Sequence, residues 1–185
     1  YASIMRLDLK EHFRLTAFYL KYYDSREELL LGYDPGHFSS IVVAQERKQG
    51  TELRVLKEFT CYYPQQQPEL ASAIHEFFGS DVKNKRIRLY YDRAGNKKKE
   101  DFEAITTDAR ILKRELESFG FSVELMNEGQ STIYYWQQFK LLLLVFGEQS
   151  NAFPRVQVDE NECPNLCSSI MLSPVSYTHL RAHET

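Results

Sequence analysis

At 185 residues, with 43% hydrophobic and 14% aromatic side chains, the chain can bury one sizeable core and is short for two. Its net charge of −3 excludes a protein that coats nucleic acid through general positive charge, so any such contact must be local. No window approaches the apolar length of a membrane span, there is no signal-peptide pattern, and the three cysteines (Cys61, Cys163, Cys167) lack a disulfide-framework spacing. Buried, reduced thiols in a cytoplasmic setting are the expectation.

In chain order, residues 1–27 mix aromatics and charges (Tyr19, Tyr22, Tyr23, Arg26, Glu27) without clean periodicity and read as a linker or lead-in. Since the first residue is Tyr1 and not Met, further sequence is expected upstream. Leu29–Asp34, Ser39–Gln45 and Glu52–Tyr63 read as three strands separated by turn-forming residues, giving an antiparallel meander. Leu70, Ala73, Ile74, Phe77 and Phe78 have helical spacing, which predicts a helix over Pro68–Phe78 stopped by Gly79. The strand Arg86–Asp92 should then run parallel to the first.

Alternation follows: a helix from about Ile105 to Phe119, a strand Ser122–Met126, a helix Thr132–Phe146, a strand Arg155–Val158 and a helix from about Glu162 to Leu172. Three antiparallel strands followed by helix and strand in turn define a mixed α/β sheet flanked by helices, over residues 28–175. The segment Ser176–Thr185 has no usable periodicity and looks like translated adapter sequence, so it is set aside from the fold.

Two residues carry the chemistry. Asp34 closes the apolar run Leu29-Leu30-Leu31-Gly32-Tyr33 and opens Pro35-Gly36, and Asp92 closes Ile87-Arg88-Leu89-Tyr90-Tyr91 before Arg93-Ala94-Gly95-Asn96. Either alone reads as a turn residue. As a pair on neighbouring strands they would converge, and converging carboxylates repel unless a hard divalent cation lies between them. His37 is close enough in sequence to reach phosphate, although a turn histidine is the plainer reading, and Glu69, His75 and Glu76 read as a solvated helix face. Lys97-Lys98-Lys99 could neutralise a DNA backbone near the acids, or simply be a solvated loop run. Tyr134, Tyr135, Trp136 and Phe139 share helical spacing with Leu142, Leu143 and Phe146 and read as core.

The motifs Gly32-Tyr33-Asp34-Pro35-Gly36 and Tyr91-Asp92-Arg93-Ala94-Gly95-Asn96, with the order of elements around them, resemble the nuclease domain of tailed-phage terminase large subunits over about Leu29 to Pro174. That resemblance implies a ribonuclease H-like fold and a metal-dependent endonuclease that cuts concatemeric double-stranded viral DNA during packaging. It implies two Mg2+ or Mn2+ ions held by three acids, with Asp34 and Asp92 as two of them. It also implies an ATPase domain upstream of residue 28, portal and small-subunit partners, oligomerisation in the whole motor, and work in the host cytoplasm.

The third acid of that pattern has no match. Asp159 and Glu160 end the strand that would lead towards it and read as a solvated strand end, which places the third ligand further downstream. None of the eight glycines stands in a phosphate-binding Gly-x-x-x-x-Gly-Lys-Ser/Thr loop. Cys163, Cys167, His179 and His183 approach zinc-finger spacing but lack its core pattern, and Pro174 interrupts the helix a finger needs. Two other classes compete. An actin-like or sugar-kinase fold also opens on Asp-x-Gly, but His37-Phe38 intrude before the hydroxyls Ser39-Ser40; a catalytically inactive assembly module would use both acids only as turn residues.

Overall fold

The computed structural model describes residues 15–16, 23–47, 49–62, 64, 66–96, 98–100, 105–128, 137, 141, 144–145 and 152–172. Their contacts form two compact units: Tyr1–Tyr19 with Glu46–Val55 and Ile133–Thr185, and Leu20–Gln45 with Leu56–Thr132.

The second unit holds both strand-ending acids. Its strands are β2 (Leu29–Asp34), β3 (Phe38–Arg47) as far as Gln45, β4 (Glu52–Tyr62) from Leu56 on, β5 (Arg86–Tyr91) and β8 (Ser122–Leu125), in the order β4-β3-β2-β5-β8. β3 and β4 are joined by a tight turn in which Gln49 (φ 58°) and Gly50 (φ 84°) reverse the chain, and the Gly50 N–H donates to the Arg47 carbonyl at 3.2 Å. β2 is antiparallel to β3 and parallel to β5, and β5 is parallel to β8. This is the mixed sheet that the sequence predicts.

Strand alternation sorts the side chains by face. Leu29, Leu31 and Tyr33 of β2 join Ile41 and Val43 of β3 and Ile87, Leu89 and Tyr91 of β5 in one core. Two helices supply the rest of it: α1 (Gln66–Phe78) through Leu70, Ala71, Ile74 and Phe78, and α2 (Asp108–Ser118) through Ala109, Leu112 and Leu116. Each large aliphatic residue so enclosed contributes about 1.5–3 kcal/mol relative to exposure. The even-numbered residues of β2, among them Asp34, belong to the other face.

Both helices start where local chemistry dictates, not where apolar spacing begins. α1 opens two residues before Pro68, which is tolerated because a first-turn residue needs no N–H partner. α2 begins at Asp108, not Ile105. Thr107 caps it, its hydroxyl accepting from the Arg110 N–H at 3.3 Å, and Ile105–Thr107 instead form β7, antiparallel to β6 (Lys98–Glu100). The β-branched run Ile105-Thr106-Thr107 favours that strand.

In the first unit, β1 (Leu15–Thr16) and the start of β4 (Glu52–Val55) flank β9 (Arg155–Asp159), both in parallel. α3 (Pro164–Leu172) follows, with Cys163 and Cys167 buried. β1 lies within the stretch expected to be linker. Most of the predicted helix 132–146, including Tyr134, Tyr135, Trp136 and Phe139, lies outside the described residues, as do Lys97 and the segment 176–185. Among the described residues no helix is long and apolar enough to cross a membrane.

Candidate metal centre

Register brings the two acids together. β2 and β5 are parallel neighbours with Leu31 opposite Leu89 and Tyr33 opposite Tyr91, so Asp34 and Asp92 are each the next residue of adjacent strands at the same sheet end. Strands so paired lie about 4.8 Å apart. The carboxylates are electrostatically coupled: the Asp34 carboxyl is pushed above its ordinary range by loss of solvent and by the neighbouring Asp92 charge. Among the described residues no group donates a hydrogen bond to the Asp34 carboxylate. Asp92 keeps one: its Oδ1 accepts the Ala94 N–H at 2.7 Å and so caps the 3-10 turn Arg93–Asn96.

Each acid sits on a braced loop. After Asp34, the Ser39 hydroxyl bridges the turn, accepting from the Gly36 N–H at 3.3 Å and donating to the Gly36 carbonyl at 3.2 Å. The Gln66 amide at the start of α1 also donates to the Gly36 carbonyl. Behind the loop, Gln67 Nε2 donates to the Tyr33 hydroxyl (2.9 Å) and to Asp108 Oδ1 (2.8 Å), a buried chain tying β2 to both helices. Burial pushes the Tyr33 phenol up to about 12, so it stays neutral in this setting. After Asp92, the Asn127 carbonyl accepts from Asn96 Nδ2 at 3.3 Å, and Asn127 Oδ1 accepts from the Tyr91 N–H at 3.1 Å. Gly95 is required there, because a Cβ would stand 2.6 Å from the Tyr91 ring.

The other predicted residues take different places. His37 is exposed in the turn between β2 and β3. Glu69 is not simply a solvated helix residue: the Cys61 thiol donates to its Oε2 at 2.6 Å, and burial with this carboxylate pushes the thiol up to about 11. His75 stacks on Phe119, with ring centroids 4.5 Å apart and planes 15° apart, which makes it a packing residue. Glu76 takes a hydrogen bond from Ser72 on the exposed side of α1. Lys98 and Lys99 lie in the β6–β7 hairpin and not in an open loop, because they pair with Thr107 and Thr106.

Asp159 also corrects the sequence reading. It is no solvated strand end: it is 2% exposed, and its Oδ1 accepts the Asn161 and Glu162 N–H groups at 3.0 and 3.2 Å. Glu160 beside it is exposed. Among the described residues no three metal-ligating side chains converge. The Asp34–Asp92 pair does fit a hard divalent cation in part: two neighbouring carboxylates of like charge, one of them without a hydrogen-bond donor among the described residues, would be relieved by a cation. Gln66, Ser39, Gln67 and Asp108 were missed by sequence reasoning. The only hint was Gln66-Gln67 preceding Pro68 at the helix start.

Sheet order, strand direction and acids at the ends of parallel β2 and β5 define a ribonuclease H-like α/β fold. In comparisons with known proteins, no family model and no curated protein sequence matches the chain. Solved structures do. The nuclease domain of the phage P22 large terminase superposes with a TM-score of 0.53 at 14% identity, covering 88% of this chain and 74% of that one. The manganese-soaked nuclease domain of human cytomegalovirus terminase gives 0.50 at 7% identity, covering 83% and 73%. The large terminase of a thermophilic bacteriophage gives 0.50 at 8% identity, covering 88% of this chain but only 36% of its own. The chain has the fold of terminase large-subunit nuclease domains.

Proposed function

We propose that this chain is the nuclease domain of a terminase large subunit, a metal-dependent endonuclease that cuts double-stranded viral DNA during genome packaging. The observation that carries the reading is the Asp34–Asp92 juxtaposition, two coupled carboxylates at the ends of parallel strands in a fold shared with the P22 nuclease domain. The manganese-soaked cytomegalovirus domain, of similar fold, supports Mg2+ or Mn2+ as the ion.

Asp34 and Asp92 would hold the metal. A divalent cation there supplies Lewis acidity at a phosphodiester and neutralises charge that builds as the bond breaks. The protein's own part is positioning. Asp34 presents its carboxylate without a competing N–H donor among the described residues, and Asp92 presents the oxygen not used by Ala94. The Ser39 and Gln66 contacts fix the Asp34 loop, and Asn127 fixes the Asp92 loop, so both acids are preorganised before an ion arrives. Asp159 holds two backbone N–H groups on one oxygen, and among the described residues no third metal-ligating side chain joins Asp34 and Asp92.

In this reading residues 1–27 lead in from an ATPase domain and contribute β1, residues 28–175 form the rest of the nuclease domain, His37 and Lys97–Lys99 serve the DNA backbone, and portal and small subunit complete the motor in the host cytoplasm. The test is nicking of supercoiled plasmid with manganese, for the native chain and for Asp34→Asn and Asp92→Asn. Cleavage that disappears in both variants, with the fold retained, is the expected outcome. Undiminished cleavage in either variant overturns the assignment of the acids.

A further inference from the structure

Phe38 and Tyr62 are both large, exposed aromatic residues, 44% and 73% accessible, with ring centroids 5.0 Å apart and planes tilted by 56°. Their position relates them to the acids. Asp34 pairs with Ser40 across the β2–β3 ladder, and cross-strand partners share a face. Phe38, two residues before Ser40 in β3, is therefore on the Asp34 side of the sheet, roughly 7 Å further along the strand direction. Tyr62, at the end of β4 on the next strand, extends the same patch.

We propose that Phe38 and Tyr62 form a stacking platform for an unpaired base of the DNA strand engaged at the Asp34–Asp92 site. The inference rests on the nuclease reading and adds to it a single-strand contact next to the cleavage point. The two rings touch each other at 56° and both remain exposed, so each keeps open aromatic surface on which a flat base can stack. Stacking needs no sequence readout and tolerates any base. A protein partner fits less well, since a stable interface buries about 800 Å² on each side, far more than two rings provide. Continuity with the acid pair on one sheet face favours the strand being cut as the occupant.

The experiment uses the full chain carrying Asp34→Asn, so that the probe stays intact, and a single-stranded oligothymidylate with one 2-aminopurine. Quenching of its fluorescence on binding is expected, with affinity about tenfold weaker and quenching abolished in Phe38→Leu/Tyr62→Leu. Phe38→Tyr and Tyr62→Phe should retain both. A purely structural role for the ring pair would move only the melting temperature, by the modest amount a cross-strand pair contributes. Unchanged affinity and quenching in the leucine double variant overturns the platform. So does a concentration-dependent dimer that the double variant loses while oligothymidylate binding is unaltered. Because the readout is binding, loss of plasmid nicking in Asp34→Asn together with unchanged quenching in the leucine variant keeps the nuclease reading and rejects the platform alone.

Discussion

Among the described residues Asp34, Asp92 and Asp159 each stand at or just past the end of a strand, and they do not do the same thing. Asp159 is 2% exposed with two backbone N–H groups on one oxygen, so its charge is consumed in building a turn. Asp92 spends one oxygen on the Ala94 N–H, and Asp34 faces that like charge with no donor of its own among the described residues. A strand-ending aspartate is therefore no signal in itself. What sets the Asp34–Asp92 pair apart is a carboxylate facing a like charge with no hydrogen-bond donor among the described residues, a cost that a bound cation would offset.

The sharpest way to break this comparison is by activity. Asp34→Asn and Asp92→Asn should each lower manganese-dependent nicking by at least about a hundredfold, more than loss of an outer-shell partner costs. Asp159→Asn should leave nicking within about twofold, because an amide oxygen still accepts both N–H bonds. Nicking lost equally in all three would mean that the three acids act alike and would end the distinction.

Stability should reverse the order. Asp159→Ala leaves two N–H groups without their acceptor in a buried setting and should cost about 1–3 kcal/mol by urea denaturation. Asp34→Asn should instead raise the melting temperature of the metal-free protein at neutral pH. The sign follows from its raised carboxyl pKa: the folded state favours the protonated form, so the stability this favours is present at low pH and is lost as pH rises through the folded value. The advantage of Asp34→Asn over the native chain should therefore shrink as pH falls through the carboxylate range. A smaller effect is expected behind the site. Gln66→Ala removes a donor from the Gly36 carbonyl and should cost about 1 kcal/mol, with nicking reduced roughly tenfold through a looser Asp34 loop.

The strand ends were legible because the signal there is local: an apolar run, an acid, then Pro-Gly or a Gly-containing turn. The register of Leu31 with Leu89 was reachable only as topology, from three meander strands and a helix returning the chain to the first strand's side. The bracing was not legible. Gln66 reaches Gly36 across 30 residues, and Gln67 links Tyr33 with Asp108 across 34 and 41, contacts with no periodic trace. Asp159 was misread because burial of a short polar side chain depends on what folds over it, and the alternation Arg155-Val156-Gln157-Val158-Asp159 groups it with polar neighbours. Phe38 was seen only as an intrusion before Ser39, since exposure of an aromatic residue is a property of the assembled sheet.

The central claim is that Asp34 and Asp92 together hold a divalent cation. Titration of the purified chain with Mn2+, followed by electron paramagnetic resonance of the free ion, tests it without requiring catalysis. The account predicts saturable binding by the native chain, abolished or at least about tenfold weaker in Asp34→Asn and in Asp92→Asn, and preserved in Asp159→Asn. Binding that survives both of the first two substitutions, or no binding by the native chain, would contradict it.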